Sequence, residues 1–321
     1  MQTRRFHILL NPKSGAALAL GLTAETLSAS FAANGHDATI DADDSAPFAD
    51  RIQRAIDSDA DVIVSAGGDG TATALAGALA DTGKALAVLP LGTANLLARD
   101  LALPLDLDAT VAALADMQPR LIDVGEVNGR VFLHKVVVGL IPSIAAGREH
   151  IRSRQDLPAL IGFLGYFIRR LTRARRMALS IASAESGARL SRVQAIAVAN
   201  NAYDEGFGRI FSRTRLDTGR LTLYTLSHLT FGDVIRLSAE MIAGRWQADE
   251  ALTIESVTSA SIRARNPTLQ VMIDGEVEIM STPLEFRIRP LALTVLAPVA
   301  VVLDAEIDGE PGHREPIAVV A

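Results

Sequence analysis

The stretch Asp61-Val62-Ile63-Val64-Ser65-Ala66-Gly67-Gly68-Asp69-Gly70-Thr71 changes character halfway along. An apolar run of β type stops at a glycine cluster, and a helical pattern, Thr71 to Leu79, follows. Strand, glycine turn and helix start together make a place where backbone N–H groups can face a phosphate. Glycines there permit positive φ and close approach of a ligand to the backbone. Asp69 adds a carboxylate where phosphates alone would be repelled, which points to a metal ion or a water bridge.

The device recurs. Ala85 to Leu91 is a second apolar run, followed by Gly92-Thr93-Ala94-Asn95 and a helical pattern from Leu96 to Leu101. Phe6 to Leu10 reads as a strand ending in Asn11-Pro12-Lys13-Ser14-Gly15. Three such strand ends fit a ligand lying at the carboxyl edge of a parallel sheet. Neither G-x-x-x-x-G-K-[ST] nor a G-x-G-x-x-G after the first strand is present, so this is not an ordinary P-loop or dinucleotide fingerprint.

To about Val127 the chain alternates strand and helix patterns, with helices expected over Leu18 to Ala33, Phe48 to Ile56 and Val111 to Met117. This is βαβ organisation and implies a mostly parallel sheet. Beyond it, Val131 to Gly139, Met177 to Ala182, Val193 to Ala199, Leu221 to Leu226, Ser261 to Ala264, Leu269 to Ile273 and Leu284 to Ile288 read as strands. Several alternate polar and apolar residues, as expected of an antiparallel sandwich with one wet face. The expected division is a nucleotide-binding α/β domain over 1–127, a β-rich substrate domain over 128–303 with a cleft between them, and a mobile tail over 304–321. Asn128-Gly129 marks the turn at the boundary.

At 321 residues and 49% hydrophobic, the chain can build one large core or two ordinary ones. A net charge of −6 argues against a general polyanion binder. No cysteine is present, which excludes disulfides and thiolate metal sites and suits a reducing cytoplasm. No apolar stretch reads as a signal peptide, and the longest, Leu291 to Leu303, falls short of a bilayer span. Aromatic content of 4% offers no stacking platform for nucleic acid. The six histidines show no metal-ligand spacing and read as ordinary.

The three loops, with Pro90-Leu91-Gly92-Thr93-Ala94-Asn95-Leu96-Leu97-Ala98-Arg99 as the third, resemble in order and spacing the N-terminal motifs of the diacylglycerol kinase catalytic-domain family. That family includes bacterial lipid kinases, sphingosine kinases and ceramide kinases. Ile273-Asp274-Gly275-Glu276 resembles its late catalytic motif. The resemblance runs from about Arg5 to Pro298. It implies an ATP-dependent kinase with Mg²⁺ and a lipid hydroxyl as acceptor, and last strands that sometimes return toward the first.

Phosphoryl transfer needs a phosphate cradle, a cation and a group to prepare the acceptor. The candidate cradle is Gly67, Gly68, Asp69, Gly70, Thr71, Ala72 and Thr73, with Gly92, Thr93 and Asn95; Asn11 and Lys13 are placed to reach phosphate oxygens. Asp274 and Glu276, two apart on a strand-like run, should face the same way and could hold a metal or supply a general base. Asp-Gly is equally a hairpin signal. The resemblance implies Glu276 as proton acceptor with Asp274 close by, and Asp123 in a metal–water network. In Leu216-Asp217-Thr218-Gly219 the family's carboxylate position before Gly holds Thr218, with Asp217 one place earlier as the remaining metal candidate. Leu96 stands where many bacterial members carry Asp, an absence shared with sphingosine kinases.

Between Arg148 and Arg176 an apolar stripe at helical spacing ends in clustered arginines. Such a segment suits an anionic membrane surface. The reading is therefore a cytoplasmic ATP-dependent lipid kinase, peripheral to the inner face of the membrane. Two competitors stand beside it: a kinase of a soluble acceptor such as a nicotinamide nucleotide, and a non-catalytic nucleotide- or lipid-binding regulator.

Overall fold

The computed structural model describes residues 4–12, 14–139, 176–206, 212–228 and 230–299. Lys13, most of 148–176 and the tail 304–321 lie outside the described residues.

The N-terminal part runs β1 (Arg5–Leu10), α1 (Gly15–Leu20), α2 (Ala24–Ala33), β2 (Asp37–Asp41), α3 (Phe48–Asp57), β3 (Val62–Gly67), α4 (Asp69–Leu79), β4 (Ala85–Pro90), α5 (Leu96–Asp100), α6 (Leu107–Ala113) and β5 (Gln118–Val127). Strands β2, β1, β3 and β4 are parallel neighbours in that order. Every residue of β3 and β4 is buried, as expected of strands covered on both faces.

The remaining described chain is mostly strand: β6 (Arg130–Phe132), β7 (Lys135–Gly139), β8 (Met177–Ser183), β9 (Gly187–Val193), β10 (Ala195–Asn200), β11 (Leu221–Leu226), then helix α7 (Phe231–Ala243), β12 (Leu252–Val257), β13 (Ser259–Ala264), β14 (Thr268–Ile273), β15 (Glu276–Ser281) and β16 (Leu284–Ala297). One antiparallel sheet has the order β12-β11-β10-β7-β14-β15. Its inner face, with Val136, Val138, Ile196, Val198, Leu221, Leu223, Val271 and Ile273, packs on β8, β13 and β16 through Leu179, Ile181, Ile262 and Phe286. This is the sandwich expected from the alternating strands.

Strand β16 belongs to both halves. Its first residues pair with β13, and Thr294 and Val295 lie parallel to Ala85 and Leu86 of β4. Strand β5 runs antiparallel to it throughout, with a bulge between Arg289 and Leu293. The parallel sheet and part of the sandwich are thus one continuous ten-stranded sheet.

Three expected elements are cut differently. The single helix expected over Leu18 to Ala33 is two helices. Gly21 ends α1 in the left-handed region (φ 59°), and Thr23 begins α2 with a reciprocal capping box to Thr26. The helix expected over Val111 to Met117 starts earlier, because the Asp106 side chain caps it at Ala109 N–H, and it ends at Ala113. The strand expected over Val131 to Gly139 is interrupted at Leu133-His134.

Candidate active site

Helix α4 starts at Gly68, whose conformation is extended (φ −84°, ψ −176°) and which provides no side-chain cap. The first-turn amides of α4 therefore lack the side-chain acceptor that most helix starts supply. The other two loops differ. Ser14 caps α1 through Ala17 N–H. Asp69, from the start of α4, caps α5: its Oδ1 accepts from Leu96 N–H at 2.6 Å and its Oδ2 from Asn95 N–H at 3.1 Å. Asn95 sits in the left-handed region (φ 49°) and returns its Oδ1 to Gly92 N–H. So the second loop clamps the third, and of the three helix starts α4 is the one whose described residues show no side-chain acceptor on the first-turn amides.

Glycine keeps the backbone bare on two of these loops. A Cβ at Gly68 would meet nothing nearer than Gly92 Cα at 3.7 Å, and one at Gly15 would meet nothing within 4 Å. A Cβ at Gly70 would lie 2.5 Å from Glu276 Oε1. Glycine at 70 is what lets the Glu276 carboxylate rest on the first turn of α4. Thr71 turns its side chain toward Gly67, and Ala72 is buried in the core, so these two support the loop from beneath. Asn11 and Thr93 lie in the first and third loops, where Asn11 N–H bonds Ala66 O at 2.9 Å.

Glu276 is delivered by the β14–β15 hairpin. Its two-residue turn is Asp274 (φ 48°) and Gly275 (φ 101°), both left-handed as the tight hairpin turn requires. This corrects the same-face expectation: a turn, not an extended strand, separates the two carboxylates, and they point to different partners. The Asp274 carboxylate accepts from three consecutive amides, Leu133 (2.7 Å), His134 (2.9 Å) and Lys135 (2.9 Å), and from the Thr73 hydroxyl at 3.1 Å. This is why the strand through Leu133 breaks. The hairpin tip is thereby pinned across α4, with Asp274 on Thr73 and Glu276 on Gly70, one helical turn apart. Arg130 pairs with Glu278 and lies 3.6 Å from Glu276 Oε2.

The three metal candidates are not brought together. Asp69 is occupied with α5. Asp123 is fully buried, its Oδ2 accepting from Gly219 N–H at 2.6 Å and its Oδ1 from Leu291 N–H at 2.9 Å. It thereby satisfies an amide freed by the bulge in β16. Asp217 turns instead to Arg215 at 3.3 Å. Thr218 bonds Asn201 rather than facing Asp123. Among the described residues no three His, Asp or Glu side chains converge as a cation site.

A second polar cluster was not signalled by the sequence. Asp100, the last residue of α5, lies 2.7 Å from His134 Nε2 and pairs with Arg213, all three being almost fully buried. Burial pushes the Asp100 carboxyl up, but the His134 hydrogen bond and the Arg213 charge outweigh it and hold it below the usual carboxylate range. Burial and the Arg213 charge depress the neighbouring Lys135 ammonium. Its charge sits 5.4 Å from the Tyr203 ring centre. No spacing rule links positions 100, 134 and 213.

Comparison with known proteins places the chain in a family. The diacylglycerol kinase catalytic domain model matches residues 5–127, and a model described as the YegS C-terminal NAD kinase beta sandwich-like domain matches 145–297. A Pseudomonas aeruginosa PAO1 protein named "Probable lipid kinase YegS-like" is 32% identical over 266 residues, 79% of each chain. The chain belongs to the diacylglycerol kinase catalytic-domain family. A Staphylococcus haemolyticus protein named diacylglycerol kinase is 23% identical over 228 residues, covering 70% of this chain and 67% of that one. The fold matches the crystal structure of a diacylglycerol kinase from Bacillus anthracis str. Sterne with a TM-score of 0.66 at 19% identity, over 94% of this chain and all of that one. The family is one of kinases, and the three loops with the late Asp-Gly-Glu turn lie within the matched segments.

Proposed function

We propose that this kinase transfers the γ-phosphate of ATP to a lipid hydroxyl. The observation that carries the reading is the placement of Glu276 on the first turn of α4, beside the uncapped amides. A phosphate held by those amides would lie next to a carboxylate able to take a proton. In the transfer, the lipid oxygen attacks the γ-phosphorus in line, its proton passes to Glu276, and ADP leaves. Mg²⁺ enters this reading as the nucleotide's own counter-ion rather than as a metal held by Asp69, Asp123 or Asp217. Asp69 acts by fixing the third loop, and Asp274 by fixing the hairpin.

A lipid acceptor calls for contact with a bilayer surface, and the basic apolar segment 148–176 is proposed for it, with the protein peripheral and cytoplasmic. Among the described residues no helix is long and apolar enough to cross a membrane. A soluble acceptor is the second reading, favoured by the NAD kinase-like description of the C-terminal match. Labelled γ-phosphate, offered with Mg²⁺ against diacylglycerol, monoacylglycerol, phosphatidylglycerol, ceramide and a sphingoid base in mixed micelles, and in parallel against a nicotinamide nucleotide, separates the two. Label in one lipid is the expected result. Label in a nicotinamide nucleotide, with every lipid blank, would overturn the lipid reading.

A further inference from the structure

The linker Leu133-His134 between β6 and β7 is held from every side. Its amides, with that of Lys135, bind Asp274. The Leu133 carbonyl accepts from Arg213 at 2.8 Å and from the Asn200 side chain at 3.1 Å, and the His134 carbonyl accepts from Asn200 N–H at 2.9 Å. The His134 ring reaches Asp100 on α5. So one residue touches two carboxylates from opposite parts of the chain. Its side chain meets Asp100, on the helix that follows the third loop. Its backbone N–H meets Asp274, two residues before Glu276. Helix α5 is itself fixed at its other end by Asp69.

We propose that His134 is a positioning residue. Through Asp100 on one side and Asp274 on the other, it sets the separation between the nucleotide loops and Glu276. The inference rests on the phosphoryl-transfer reading above. His134 does not touch either substrate; it acts through the two carboxylates. Asp100 Oδ2 lies 2.7 Å from His134 Nε2 in a place where both side chains are almost fully buried, so the contact is shielded from water. Arg213 meets the same Asp100 oxygen, Oδ2, from its own side. Among the described residues Arg213 Nε is left without a hydrogen-bond partner in this cluster, so the 2.7 Å approach of the His134 ring is what ties α5 to the linker, and a shift of about 1 Å in a catalytic group can cost about 10²-fold in rate.

The test uses the full chain and three variants. His134→Phe keeps ring volume against Tyr203 and loses the ring N–H. His134→Leu serves where the larger ring upsets packing. His134→Gln restores a donor near the position of Nε2. Two readouts are taken. The first is kcat and KM for ATP, with ADP affinity by calorimetry. The expected result is a kcat lowered about 10²-fold in the apolar variants, unchanged ADP affinity, and recovery to within a few-fold in His134→Gln. The second needs no turnover. The chain has no cysteine, so Leu105→Cys after α5 and Ile279→Cys on β15, both exposed, take a pair of spin labels cleanly. The label–label distance should be narrow in the parent, broadened or shifted in the apolar variants, and restored by Gln. Unchanged distances and kcat in the apolar variants would overturn the proposal. So would a loss of melting temperature alone, with kcat per folded molecule intact. If the parent labels no lipid and no soluble acceptor, the kinase reading fails, while the distance measurement still decides whether His134 sets the geometry.

Discussion

Asp274→Asn separates a carboxylate that holds the hairpin from one that does chemistry. In the structure Oδ1 accepts from His134 and Lys135, and Oδ2 from Leu133 and Thr73. Asparagine tolerates the left-handed backbone at φ 48°, so the backbone adds no strain. Its one oxygen keeps two of the amides, and its NH₂ then faces the Leu133 N–H, donor against donor. One hydrogen bond to a charged acceptor, about 1.5–3 kcal/mol, is lost, while the Thr73 hydroxyl can turn and accept from the NH₂. The three that remain fall to roughly half strength without the charge. Because Asp274 is half-buried, the lower end applies, and the expected loss is about 3–5 kcal/mol. For a chain of this size that is a fall in Tm of roughly 6 °C or more. The assay is thermal unfolding followed by circular dichroism, with turnover measured well below both transitions. A Tm within about 2 °C of the parent, with turnover abolished, would refute the reasoning and make Asp274 a chemical participant.

Glu276 behaves in the opposite way. Its side chain is 63% exposed, so Glu276→Gln should leave Tm unchanged and lower kcat by about 10²–10⁴-fold; near-normal turnover would remove it as proton acceptor. Gly70→Ala puts a methyl 2.5 Å from Glu276 Oε1; the flexible side chain yields, so kcat should fall with the fold intact, as ligand affinity and melting curves would show. Gly125→Ala instead drives a methyl into the Phe132 ring, and overpacking should cost about 1–3 kcal/mol in urea unfolding. His7, buried in β1, has its pKa lowered from 6.5 by burial first, with Asp41 opposing and Arg54, Lys84 and Arg51 adding to the fall. The unfolded chain then takes up a proton below pH 6.5 where the folded chain does not, so stability must decline as pH falls through that window. His7→Leu should flatten the decline between pH 7.5 and 5.5, and an unchanged slope would exclude His7 as its source.

What the sequence made legible was local. The run into Gly67-Gly68-Asp69-Gly70 reads as strand, turn and helix because β-branched periodicity and glycine punctuation are contiguous. The turn at Asn128-Gly129 was legible for the same reason, both residues having positive φ. Helix α7 carries its own local signal, a capping box of Thr230 and Asp233 and a closing Gly244, although the strand pattern around it does not include it. The rest depends on partners far away in sequence. The break at Leu133-His134 exists because a carboxylate some 140 positions later takes its amides. His134 reads in the sequence as an ordinary histidine, since nothing near it announces Asp100 or Arg213. Asp69 and Asp123 have the right chemistry for cations, yet backbone amides from α5 and from the β16 bulge reach them first.

The course of β16 bears on how the molecule is made. The edge of β4 that faces away from β3 is filled by Thr294 and Val295, which emerge about 200 residues after β4 itself. At about 5–20 residues per second, the growing chain carries that edge unpaired for roughly 10–40 s. Strand β5 waits for the same partner over its length. An unpaired, fully apolar edge is a template for the wrong strand from another chain. The N-terminal half therefore cannot finish folding on the ribosome ahead of the rest, and a chain cut before Leu284 should aggregate rather than survive as a free nucleotide-binding unit.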